Sequence, residues 1–235
     1  MSDLMRKLSY NFEFEDGTKK SCDVYLEPKT LQIVRQTKKT PSEWTELNNF
    51  ECNHCPLDKN EFKYCPVAVS LEELIEFFSN RTSFERVKVT VQTEERSYYK
   101  ETDIQSAVGS FIGIIMPSSG CPILAKLRPM LRFHLPFATI EETEFRVFAT
   151  YSLAQFLRHK NGKEPDWELK SLGKLYDDIQ KINSNVASKI AKLEKQDASI
   201  NSVIVLNNFA SSVSMNLDDE DFSQLEQLFH SWITD

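Results

Sequence analysis

Four of the five cysteines in this chain stand at Cys52, Cys55, Cys65 and Cys121, a spacing of C-x2-C-x9-C-x55-C. Two residues between Cys52 and Cys55 let both sulfurs face one point. Cys65 returns after nine residues of loop, and Cys121 arrives from a distant part of the chain. Residues 38–66 show little periodicity and carry two Cys-Pro steps. So long a loop inside a compact domain needs something to tie it down. A shared metal site would pin that loop to the later, more helical part and contribute to folding directly. Cys22 falls on an expected strand and reads as a small, part-buried hydrophobe.

The other bulk properties narrow the class. A chain of 235 residues with 40% hydrophobic and 27% charged residues suits one large domain or two small ones with a real core. The net charge of −7 argues against a primary nucleic-acid binder. The opening residues lack the pattern of a signal peptide. The longest apolar run, Ile104 to Met116, is shorter than a membrane span and is interrupted by Gln105, Ser106 and Ser110. A cytoplasmic protein without membrane contact is expected, and there clustered cysteines point to metal or redox chemistry more often than to disulfides.

Along the chain, Leu8 to Glu15 alternates apolar and polar residues as a half-buried strand does. Asp16-Gly17 then signals a hairpin to Lys20–Leu26. Leu31–Gln36 reads as a third strand. Ser70 with Glu73 forms an expected capping box for a helix over residues 71–78. Val87, Val89 and Val91 mark a strand, with residues 97–101 pairing back. Asp103 is expected to cap a helix to about Met116, where Gly109 and Gly113 would allow close helix approach, and residues 117–120 would end it. Ile123 to Phe133 is expected to be short or kinked. Thr139 with Glu142 forms a second capping box, for a helix to about Arg158 that Asn161-Gly162 closes. Asp166 is expected to cap a helix reaching about Lys195. Its seam of Leu172, Leu175, Ile179, Ile182, Val186 and Leu193 would pack in a bundle, and would also allow a homodimer through the 166–195 helix. Two shorter helices follow, near residues 200–213 and 219–232. The acidic run Asp218–Asp221 would suit the dipole of the last one. The fold class is therefore α+β: a small N-terminal antiparallel sheet with a cysteine-rich metal-binding loop, packed on a mainly helical C-terminal part. Residues 1–162 would form the mixed part and 163–235 the helical part, or both one continuous domain.

Cys55, Cys65 and Cys121 are each followed directly by Pro. These steps resemble the Cys-Pro ligation of bacterial ferredoxins, a resemblance that covers only the ligands. Three clustered ligands plus a remote one suit a [4Fe–4S] cubane, with zinc as the alternative. His54 reads as a loop residue beside the site. Beyond the cysteines, Arg128, Arg132, His134, Glu142 and Arg146 lie close in sequence. The first expectation is a solvated polar face with ordinary salt bridges, Glu142 and Arg146 pairing on one helix face; if the segment lines a pocket, Arg128 and Arg132 would hold an anionic ligand and His134 would move a proton. Cys121 could act there as a nucleophile with His134 as base, though no catalytic residue is assigned and no nucleotide-binding or hydrolase motif occurs. The leading expectation is a cytoplasmic iron–sulfur protein for electron transfer or redox sensing, working with a protein or redox partner. The rivals are a zinc-stabilised interaction module and an enzyme with a pocket formed by Cys121–Arg146.

Overall fold

The computed structural model describes residues 5–36, 39–193, 197–219 and 221–234. Lys38, Lys195 and Glu220, on which parts of the expected loop, long helix and acidic run fall, lie outside the described residues. The elements run β1 (Arg6–Phe14), β2 (Lys19–Leu26), α1 (Leu47–Phe50), α2 (Pro66–Phe78), β3 (Arg86–Gln92), β4 (Ser97–Asp103), α3 (Ile104–Ser118), α4 (Arg128–Arg132), α5 (Ile140–Lys160), α6 (Lys170–Ile190), α7 (Ala198–Asp218), α8 (Ser223–Leu228) and α9 (His230–Ile233). The class is α+β.

The sheet is antiparallel in the order β2-β1-β3-β4. Its hairpin turns at Asp16-Gly17, where Gly17 takes a φ of +80° that suits glycine. The period-2 alternation of β1 sends Leu8, Tyr10, Phe12 and Phe14 to one face, where they are buried with Val87, Val89 and Val91 of β3. That face is covered by α2 and α3. The Phe12 ring meets Phe78 edge-on at 5.1 Å between centroids, and Tyr10 lies 4.8 Å from Phe111. Such aromatic contacts add to what area burial alone contributes.

A second helical layer lies behind α3. Gly109 faces α7, and a Cβ added there would sit 3.6 Å from the Ser202 carbonyl oxygen, so the two backbones approach closely. Helix α6 packs on α7 and buries Leu172, Leu175, Ile179, Ile182 and Val186 within this chain, with Ile190 continuing the seam and Leu193 exposed. The seam that would serve a homodimer is thus consumed internally. The hydrophobic core is continuous from the sheet to α7. Among the described residues, no helix is long and apolar enough to cross a membrane.

Three local expectations are corrected. Residues 31–36 form no strand: only Ile33 bridges to Leu26. Leu31 adopts a φ of +54°, and the Ile33 N–H is drawn to the Ser118 carbonyl instead. Helix α2 starts at Pro66 rather than near Leu71, with Cys65 at the N-cap; Ser70 lies inside it and donates to the Pro66 carbonyl. Helix α3 continues through Pro117 to Ser118.

Other caps agree with the sequence. Asp103 accepts from the Ser106 N–H at 2.8 Å. Thr139 and Glu142 close a full capping box on α5. Asp166 accepts from the Lys170 and Ser171 N–H groups, although Leu169 (φ +58°) is the residue at the helix boundary. Tyr151 donates to Asp166, and the Asp166 N–H donates to buried Gln155, so α5 holds the turn into α6.

Asp197, just before α7, accepts from the N–H and hydroxyl of buried Ser83 at 2.8 and 3.0 Å. The Ser83 N–H is the largest cause of the lowered Asp197 pKa. This pair ties α7 to the loop that enters β3. Asp197→Ala is expected to cost about 2 kcal/mol, because it leaves buried donors bonded to nothing; urea unfolding measures it, and a change within 0.5 kcal/mol of zero refutes the tie (roughly the scatter for surface substitutions).

Candidate metal centre

The irregular stretch after β2 is closed before it reaches the cysteines. The Ser42 N–H donates to buried Glu72 of α2 at 3.1 Å, and the Ser42 hydroxyl binds the same carboxylate. Glu46 bridges to Tyr64, and the Cys65 N–H donates to the Thr45 carbonyl at 2.8 Å. Residues 47–63 therefore leave and return at one point. A tight turn, with the Cys55 N–H donating to the Cys52 carbonyl at 2.9 Å, sets the C-x2-C pair.

Helix α6 runs along this loop. Lys189 donates to the Asn49 carbonyl at 2.8 Å, Asn185 to the Phe50 carbonyl at 3.2 Å, and His54 Nε2 lies 3.2 Å from the Asp178 carbonyl. Residues 178, 182, 185, 186 and 189 share one helix face, so the loop lies along that face. His54 is thereby engaged with α6, beside the cysteines.

Cys121 comes from the opposite side. It follows Gly120, whose φ of +112° reverses the chain after α3. It precedes a short 3-10 helix at Leu124–Leu127. Cys52, Cys55, Cys65 and Cys121 all line one small cavity, walled by Phe50, Leu57, Val67, Ile123, Ile182 and Val186. All five cysteines are free thiols, and Cys22 sits apart on β2. Among the described residues, no group of three or more His, Cys, Asp or Glu side chains is arranged to hold a metal ion. The four thiols share the wall of one cavity.

The electrostatics of the four thiols follow from their surroundings. Burial pushes the Cys52 thiol up to about 12, and the neighbouring Cys65, Cys55 and Cys121 add to the rise. An N–H of Asn185, 3.4 Å from Cys52 Sγ, pulls the other way. Burial raises Cys65 to about 11. The amides of Val67 and Ala68 face that sulfur and oppose the rise, without closing a full cap hydrogen bond. Cys121 is also raised by burial and opposed by the amides of Ile123 and Leu124 and by the charge of Arg128. The Cys65-Pro66 and Cys121-Pro122 steps thus aim the next two amides at a sulfur, an arrangement that stabilises thiolate. Four thiols with no oxygen donor among the cavity-lining side chains form a donor set for a soft metal or an iron–sulfur cluster.

The second expected group divides. His134 and Arg146 line a different, larger cavity, whereas Arg128, Arg132 and Glu142 do not. Arg128 donates to the Pro117 carbonyl at 3.1 Å. Glu142 accepts from the Thr139 N–H at 2.8 Å, and Arg146 donates to the Met130 and Phe133 carbonyls. These bonds turn Glu142 and Arg146 away from the ion pair expected of them. His134 Nε2 lies 3.0 Å from the Tyr10 hydroxyl, and burial first, then the charges of Arg146 and Arg6, lowers it to about 3. Ser118 and Ser119 bond carbonyls of α3 and not the Cys121 sulfur. A Cys121–His134 catalytic pair is therefore not assembled. Asn185 was missed: its only sequence signal is a polar residue beside the apolar seam of α6.

Two outcomes follow for the site. Gly120→Ala forces a side chain onto a φ of +112° and sets its Cβ 3.2 Å from Gln32 Nε2; a loss of about 1–3 kcal/mol is expected in thermal unfolding. The metal-free protein responds to alkali. Neutral buried thiols contribute fully below the ordinary thiol value near 9, and this is lost as pH rises through the folded values of about 12 and 11. Between about pH 8 and about pH 11, metal-free wild type should lose stability more steeply than metal-free Cys52→Ser in urea unfolding.

No curated protein and no solved structure matches the chain. A family model described as a domain of unknown function, DUF6901, matches residues 8–230. That span includes all four cavity cysteines, and the chain belongs to this family.

Proposed function

We propose that the chain is a cytoplasmic iron–sulfur protein. Cys52, Cys55, Cys65 and Cys121 would hold one [4Fe–4S] cluster, which would transfer electrons or report redox state to a protein partner. The observation that carries this reading is the meeting of four free thiols, from three separate stretches of chain, in one apolar cavity. Unrelated thiols have no reason to share a cavity, and here three of them raise the pKa of the fourth, Cys52. A cubane binds each thiolate to a different iron, so it asks for a wider set of sulfurs than one tetrahedral zinc, whose ligands stand within about 3.8 Å of one another.

The cluster would supply the one-electron chemistry. The protein's part is to exclude water with Ile182, Val186 and Leu57, and to direct N–H groups at the sulfurs, which sets the potential. Protein purified without oxygen is expected to contain iron and acid-labile sulfide near four each per chain. Cys121→Ser and Cys52→Ser should each lose most of both. One zinc with no sulfide would replace the cluster by a structural ion, and no metal at all would refute the centre.

A further inference from the structure

The cavity lined by His134 and Arg146 has about 350 Å3 of space and lies between α3, α6 and α7, closed at one side by the segment from Leu124 to Thr143. Its walls are mostly apolar, with Met116, Leu131, Leu206 and Phe209 among them. No lining residue is acidic, although the chain as a whole carries −7. Arg146 enters from α5. One of its terminal nitrogens is used on the Met130 and Phe133 carbonyls, and among the described residues no carboxylate lies within 4.0 Å of the guanidinium. Tyr176 and Asn183, two turns apart on one face of α6, are 5% and 3% exposed and both line the cavity. Among the described residues neither the Tyr176 hydroxyl nor the Asn183 amide has a hydrogen-bond partner. Lys100 is the other cation of the lining, exposed at the rim near Phe137.

The Tyr176 hydroxyl and the Asn183 amide belong to buried residues that line the same apolar space as Arg146, whose guanidinium, among the described residues, meets carbonyls but no carboxylate; polar groups converging on an apolar cavity mark a ligand site. We infer that this cavity binds an amphipathic carboxylate, its head on Arg146 and the Tyr176 hydroxyl and its apolar tail between α3 and α7. With Nη2 taken by the two carbonyls, a remaining Arg146 N–H and the Tyr176 O–H can each donate to one oxygen of a singly charged carboxylate head, a charge-assisted contact. A cation would have no acidic side chain to meet. The site is separate from the four thiols and does not depend on which metal they hold.

Calorimetry on the protein as purified without oxygen, using octanoate, 1-octanol and octyltrimethylammonium as probes, tests this. Octanoate should bind about tenfold or more tighter than 1-octanol, the gain of a charge-assisted contact, and octyltrimethylammonium should not bind. Tyr176→Phe and Arg146→Gln should each reduce octanoate affinity about tenfold while leaving 1-octanol unchanged. Arg146 also holds two carbonyls, so a misfolded Arg146→Gln is met by Tyr176→Phe, which removes an unbonded hydroxyl and keeps the ring. Equal binding of all three probes, no binding of octanoate, or unchanged octanoate affinity in both variants would overturn the assignment.

Discussion

Four thiols set among apolar side chains, Cys65 buried and the other three half-buried, do not readily become thiolates, and the groups around them answer that cost. Burial is the largest cause that drives Cys52 and Cys65 well above the ordinary thiol range, and each neighbour that ionises makes the next ionisation harder still. Against this stand the paired amides after Cys65 and Cys121, the Asn185 amide and the Arg128 charge. None of these outweighs desolvation by itself. A bound cationic centre would reverse the balance, because it favours the thiolate directly.

Helix α6 does two jobs with one surface. Ile182 and Val186 roof the thiol cavity, while Ile179, Tyr176 and Asn183 line the larger one. The same helix also anchors the cysteine loop through Asp178, Asn185 and Lys189. The apolar seam alone would have been satisfied by plain bundle packing. The polar residues at 178, 183, 185 and 189 are what distinguish it from such a helix.

Features with local causes were legible in the sequence. Asp16-Gly17 turns the hairpin, Asp103 caps α3, and the Thr139–Glu142 box opens α5, each through contacts within a few residues. The cysteine spacing likewise pointed at residues that the fold gathers into one cavity. Features decided by distant partners were not legible. Ile33 keeps one bridge to Leu26, but its N–H goes to a carbonyl 85 residues away (118 − 33), so the strand does not extend. The start of α2 depends on Cys65 being held by Thr45, which outweighs a good cap at Ser70. Arg146 was placed with Glu142 by spacing, yet backbone carbonyls of the preceding segment took it.

The roof formed by α6 has a consequence for synthesis. All four cysteines have been translated by residue 121, but Ile182, Asn185 and Val186 come more than sixty residues later. During that interval the growing chain presents its thiols without their cover. Oxidants have access to them then, and the fourth cysteine is in place before the shelter is. Protection of the thiols and completion of the helical layer are therefore coupled in time: a delay between Cys121 and α6 lengthens the period in which unwanted sulfur chemistry competes.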